Sequence, residues 1–171
     1  MKLHTTLALA APLISSWAAG AELTVKFDIP QLNVAEYHRP YVAIWIERAD
    51  QSMAAPLTVL YEVRKRDNGG AKFVKDLRTF WRKGGRDLTL PADGISGATR
   101  AAGEQVFTFG PARSEVAKLA AGDYQLVIEA ARESGGRELL KLPFTLPLAG
   151  KQGVSAHGKE ELGAVTLQLA P

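Results

Sequence analysis

Two neighbouring groups of residues have types and spacing suited to chemistry. The first is DGISGAT, Asp93 to Thr99. Asp93 can accept backbone N–H groups at a turn, Gly94 and Gly97 permit positive φ, and Ser96 can cap, so a β-turn accounts for each residue taken singly. A turn singles out neither Thr99 nor the Ala98 before it. A hydroxyl that is to carry a phosphoester needs exposure, a yielding backbone and small neighbours that let a modifying enzyme approach, and Gly97 and Ala98 meet that last need. The second group is Arg78, Trp81, Arg82 and Arg86. Arg78 and Arg82 are four apart, on one side of a helix, and guanidinium groups there can grip a phosphate through paired hydrogen bonds. Trp81 continues the apolar face of the same helix, which also suits a core position. Chain order carries this cluster into DGISGAT, with Arg100 directly after it.

Other chemistries have little support. There is no cysteine, which excludes disulfides, thiolate metal sites and cysteine nucleophiles. The histidines are His4, His38 and His157; no Gly-x-Ser-x-Gly elbow accompanies them, and none has local partners at metal-ligand spacing. Glu160 and Glu161 read as a solvated surface. The net charge of +3 is mild, basic residues are interspersed with acids, and no aromatic-basic interleaving of the RNA-binding kind occurs. Nucleic acid is not expected as a partner.

The elements that position these groups are mostly strands. Lys2, the apolar run from Leu7 to Ala19 and the small residues ending at Ala21 read as a secretory signal, too short for a membrane span. Residues 1–21 are therefore expected to be removed, leaving 22–171 as one periplasmic domain that does not itself cross the membrane. Period-two alternation marks ELTVKFDI, YVAIWIER and LTVLYEVR, followed by EQVFTFG, GDYQLVIEAAR, RELLKLPFTL and LGAVTLQL. About seven short strands separated by Gly, Pro, Asp and Asn turns predict an all-β, immunoglobulin-like sandwich. Within KFVKDLRTFWRK, Phe73, Val74, Leu77, Phe80 and Trp81 share one face of a single short helix, which Gly84-Gly85 ends. RESGGRE reads as a hairpin turn, and GKQGVSAHGKEE as a polar, mobile loop.

DGISGAT resembles the Asp-x-x-Ser/Thr-Gly-Ala-Thr/Ser motif of extracytoplasmic domains flavinylated by the periplasmic FMN transferase. The match covers Asp93, Ser96, Gly97, Ala98 and Thr99. That resemblance implies FMN esterified to Thr99: the threonine oxygen attacks the flavin-proximal phosphorus of FAD, AMP leaves, and metal cations of the transferase neutralise charge. RPYVAIWIE, KDLRTFWR, DGISGATRAAGE and AGDYQLVIEAARESGGRE are in addition similar to a family of predicted periplasmic proteins associated with membrane flavin-reductase components. Together these imply an electron carrier rather than an independent enzyme, with Arg78, Arg82, Arg86 and Arg100 balancing charge and Trp81 as a stacking wall. AGEQVFTFGPARSEVAKLAAGDYQLVIEA is similar in layout to the immunoglobulin-like domain of flagellar hook-capping proteins. It leaves open a cofactor-free adaptor or binding module.

Overall fold

The computed structural model describes residues 21–110 and 112–171. The signal-peptide reading falls, Ala21 apart, outside them. Among the described residues are nine strands: β1 (Glu22–Ile29), β2 (Tyr41–Arg48), β3 (Met53–Tyr61), β4 (Ser96–Ala98), β5 (Gly103–Phe109), β6 (Gly122–Ala131), β7 (Arg137–Leu146), β8 (Gln152–His157) and β9 (Ala164–Ala170). They form two sheets, ordered β5-β1-β9-β8 and β4-β3-β2-β6-β7. Every pairing is antiparallel except β3 with β4. The chain is thus an all-β sandwich. Its β3-β2-β6-β7 order is that of strands C′, C, F and G of an immunoglobulin domain, and β1 pairs β5 as B pairs E. The C-terminal strand β9 lies beside β1, where strand A would lie.

The main core fills the space between sheets. Val42, Ile44 and Ile46 of β2 and Leu126 and Ile128 of β6 meet Leu23, Val25, Phe27 and Leu167 there. The outer face of the smaller sheet is polar, with a Thr24–Thr108 hydroxyl contact at 3.2 Å and a Lys26–Glu104 pair at 3.1 Å. The larger sheet is covered on its outer face too. Ala43 and Trp45 alternate with the inter-sheet residues of β2 and pack under Val74, Leu77 and Phe80. The unbroken apolar run YVAIWI is the signature of a strand buried on both faces.

The covering layer comprises a 3-10 segment (Arg66–Asp76), helix α1 (Arg78–Lys83) and a short 3-10 turn (Gly85–Asp87). The single helix expected over residues 72–83 is instead broken at Leu77, whose ψ of 72° is not helical. Val74, Leu77 and Phe80 are buried and Trp81 is partly so, whereas Phe73 stays 39% exposed. Helix α1 lacks a side-chain cap of its own. The buried Glu129 of β6 supplies one, accepting from the Thr79 N–H at 3.1 Å and the Phe80 N–H at 2.8 Å. Arg137 completes that carboxylate's shell at 2.7 Å. Glu47 of β2, equally buried, accepts from Trp45 Nε1 at 3.0 Å and pairs with Lys83 at 3.0 Å and Lys141 at 2.9 Å. Burial pushes the Glu47 carboxyl up, but its Lys141, Lys83 and Trp45 hydrogen bonds outweigh this and hold it below its ordinary value.

The segment expected as a mobile loop, residues 150–161, is half strand: β8 pairs along β9. The stretch after β8 is tied down by Glu138, whose carboxylate accepts the N–H groups of Lys159, Glu160, Glu161 and Leu162 at 2.6–3.1 Å. Glu161 is also not the solvated surface residue expected. It is 3% exposed and holds Arg132 through two contacts of 3.1 Å. The missed strands β4 and β8 are short and poor in β-branched residues.

Two consequences are measurable. Ile128→Ala, in the inter-sheet core, costs about 2–5 kcal/mol in urea unfolding; a loss below about 0.5 kcal/mol would mean a surface position. At Glu138, burial raises the carboxyl and the four N–H donors more than offset it, so its value in the fold is lowered. Its contribution is complete above the unfolded-state value of about 4.3 and is lost as pH falls through the lowered value. Glu138→Gln therefore destabilises by about 1–3 kcal/mol at neutral pH. The gap to wild type closes in acid, as urea melts at both pH values will show.

Candidate functional site

DGISGAT is not a free loop. Asp93 and Gly94 form a turn, and Ser96–Ala98 is strand β4 at the edge of the larger sheet, registering Val59 with Ser96 and Tyr61 with Ala98. The Ser96 hydroxyl accepts from the Ala92 N–H at 2.9 Å and so closes the turn. The Ile95 carbonyl accepts from the Val59 N–H and the Thr58 hydroxyl, each at 2.9 Å. Gly94 has φ of 67°, in the region that favours glycine. Its carbonyl accepts from Arg113 Nη2 at 2.6 Å, and the same nitrogen bonds the Leu57 carbonyl. The Arg113 guanidinium lies 5.1 Å over the Phe109 ring, so one arginine stitches the turn to both sheets. A Cβ on Gly97 would come within 2.8 Å of the buried Leu60 side chain, so this glycine serves packing as well as clearance.

The remaining motif residues are not used in this way. Asp93 is exposed, and its carboxylate makes no hydrogen bond or ion pair among the described residues, contrary to the turn-bonding role its type suggests. Ala98 is exposed. Thr99 is half-buried on a backbone pinned to β3, not exposed on the yielding backbone expected of a phosphoester site; its N–H donates to the Tyr61 carbonyl at 3.2 Å, while its hydroxyl has no hydrogen-bond partner among the described residues.

Thr99 lines a cleft of about 360 Å³ at one end of the larger sheet, a volume within the range of small-ligand sites. Three connections build it. The β1–β2 loop contributes Tyr37, His38 and Arg39; the segment after β3 contributes Glu62, Phe73 and Asp76; the β6–β7 turn contributes Arg132 and Glu133. In an immunoglobulin sandwich the corresponding B–C, C′ and F–G connections gather at one end and form its binding loops.

The cleft's polar groups differ in how far they are committed. Arg132 is held by Glu161, Glu62 pairs with Lys65 at 3.1 Å, and His38 lies 3.2 Å from Glu36 and 3.9 Å from Glu133. Arg39 is exposed and makes no ion pair among the described residues. The Tyr41 hydroxyl donates to the Gly70 carbonyl at 3.3 Å; burial, aided by the charges of Glu62, Glu133 and Asp76, pushes it up to about 12. The Tyr37 hydroxyl is buried with no hydrogen-bond partner among the described residues.

The structure does not bring the helix cluster to Thr99. Arg78, Arg82 and Arg86 are exposed on the covering layer, with Arg82 Nε donating to the Arg78 carbonyl at 3.2 Å and Arg86 lying 3.9 Å from Asp87. Trp81 packs onto the apolar cluster beneath that layer. Arg100 turns to the other sheet, 5.5 Å over the Phe107 ring. The cleft residues that motif reading missed had one signal, the aromatic-basic string EYHRPY just ahead of β2. No group of three or more His, Cys, Asp or Glu side chains suited to a metal occurs among the described residues, and no helix there is long and apolar enough to cross a membrane.

The fold and site define a β-sandwich domain with a helical layer on one sheet and a cleft at one end, lined by the threonine that follows the edge strand β4. More particularly, the chain belongs to the DUF2271 family, described as predicted periplasmic protein, whose profile matches residues 22–164. The domain is periplasmic. No curated protein and no solved structure matches the chain.

The motif's division of labour is open to test by thermodynamics alone. Gly97→Ala costs about 1–3 kcal/mol through overpacking against Leu60. Asp93→Ala stays within about 0.5 kcal/mol of wild type. Equal effects in urea melts would show that the motif is uniformly structural.

Proposed function

We propose that this domain is a periplasmic electron carrier holding FMN as a phosphoester on Thr99. The observation that carries the reading is the Thr99 hydroxyl, unpartnered, lining a cleft and directly following a strand that fixes its backbone. Ser96 and Gly97 are spent on shaping that strand. The Asp93 carboxylate and the Ala98 methyl are exposed, as suits side chains a transferase reads.

The residues present fit the group. Phe73, Tyr37 and Tyr41 offer apolar and aromatic surface, Arg39 of the same lining is an exposed cation with no ion pair among the described residues, and the Tyr37 hydroxyl is an orphaned buried polar atom. Attachment balances as a transfer from FAD: the Thr99 Oγ1–phosphorus bond forms, the anhydride bond breaks, AMP leaves, and the transferase takes the hydroxyl proton. The flavin, once attached, supplies electron transfer; the chain positions it and sets its electrostatic surroundings. A membrane flavin-reductase component is the redox partner this reading calls for.

Co-expression with a periplasmic FMN transferase and FAD should add the mass of one FMN, with colour that survives denaturation. Thr99→Ala should remove the adduct while changing stability by no more than about 0.5 kcal/mol. Wild-type protein that stays unmodified, in cells where a known flavinylated domain is modified, overturns the reading in favour of a cofactor-free adaptor.

A further inference from the structure

We propose that the cleft beside Thr99 is the seat of the isoalloxazine ring, walled by Tyr37, Tyr41 and Phe73, with the Tyr37 hydroxyl as its hydrogen-bonding partner. This rests on the esterification of Thr99 and goes beyond it, because a ring tethered through a ribityl chain could equally lie in solvent. Four observations favour a docked ring. Thr99 itself lines the cleft, so a group attached there starts at its mouth. Two tyrosines and a phenylalanine line the same space, and an aromatic plane is what such side chains bury best.

Phe73 is one of the few large apolar side chains left substantially exposed, at 39%, although its neighbour Val74 is fully buried in the sheet contact. Its ring is engaged on one side by Lys65, 5.0 Å from the centroid, and its place in the cleft lining explains why an apolar ring sits there. The Tyr37 hydroxyl is removed from water without a hydrogen-bond partner. A buried group of that kind costs stability unless something completes it. The carbonyl oxygens and ring nitrogens of an isoalloxazine are acceptors for it.

The neighbouring Tyr41 is already committed through Gly70, and its hydroxyl, pushed up to about 12, stays protonated throughout the neutral range. Its ring is braced edge-on by the fully buried Tyr61 at 6.3 Å, which makes that wall stiff. The cleft therefore presents one supported aromatic wall, one partly exposed ring and one unfilled donor. Arg39 is the cation left to meet the phosphate end.

The test uses the flavinylated protein made with the transferase, its loading checked by intact mass, and compares wild type with Tyr37→Phe, Tyr37→Leu and Phe73→Ala. Tyrosine stacked on an isoalloxazine quenches its emission. A docked ring therefore gives wild-type fluorescence several-fold weaker when folded than when denatured, and resists quenching by iodide. Tyr37→Leu and Phe73→Ala should each restore much of the emission and the iodide sensitivity at unchanged loading. Tyr37→Phe should keep the resistance to iodide and shift the flavin absorption bands, since it leaves a ring in place and removes only the hydroxyl. Thermal melts of the four proteins separate loss of the seat from loss of the fold. A loaded wild type as bright and as iodide-sensitive folded as denatured overturns the seat and leaves the esterification standing. A wild type that never gains FMN overturns both.

Discussion

The architecture depends on satisfying two carboxylates that β2 and β6 carry on the outer face of the larger sheet. Glu47 and Glu129 are both fully buried, a condition that is tolerable only when every charge is answered. Lys83, Lys141 and the Trp45 indole answer Glu47; Arg137 and the first N–H groups of α1 answer Glu129. The covering layer is thereby fixed at both ends of a very short helix, from Thr79 to Lys83. Isolated, such a helix would not form, because nucleation outweighs the few hydrogen bonds it makes. The sheet below supplies its cap, and the helix in turn closes the sheet's apolar face over Trp45.

That arrangement reaches the candidate site. The 3-10 segment preceding α1 carries Phe73 and Asp76 into the cleft lining, and its inward residue Val74, with Leu77 just after it, anchors it to the same cluster as Phe80. At the opposite wall, Arg132 leaves β6 into the hairpin and is held by Glu161, which is itself positioned by the Glu138 carboxylate and its ring of backbone N–H groups. Four buried or half-buried glutamates thus set both flanks of the cleft without lining it. Loss of Glu129 leaves buried donors unanswered, at a cost of about 3–5 kcal/mol, and loosens the wall that bears Phe73.

Strands β1, β2 and β7 were legible in the sequence, beginning and ending where apolar runs and turn residues place them. The face assignment of Ile44, Ile46, Leu126 and Ile128 was equally readable, because period two admits one inter-sheet set. Other features depend on partners distant in the chain. Strand β4 has only Ser, Gly and Ala and exists because β3, Arg113 and the Ile95 carbonyl contacts hold it. Strand β8 and the segment after it are ordered by β9 and by Glu138. The break at Leu77 answers to the sheet beneath rather than to helix propensity, which runs through it. At the site, the motif could be read as residue types in order, whereas the cleft could not, since its walls come from three connections far apart in sequence. Proximity along the chain made the α1 arginines look like neighbours of Thr99, but they are exposed on the covering layer and do not line its cleft.

For the esterification proposed here, the advantage the fold would give Thr99 is entropic. An acceptor hydroxyl on a slack loop would have to be ordered at each encounter with a modifying enzyme, at roughly 1–2 kcal/mol per residue fixed. Strand pairing with β3, the Ser96 closure and the Arg113 stitch have met that cost within folding, so the backbone up to Thr99 is presented in one geometry. Preorganisation of this kind favours attack at a single position. It also accounts for the unequal use of the motif, in which the residues that hold the strand are internal commitments and those flanking the hydroxyl are bare. On the proposed attachment a rigid platform would carry the same advantage, because a tether that begins from a fixed backbone restricts where its far end can go, and Thr99 itself lines the cleft.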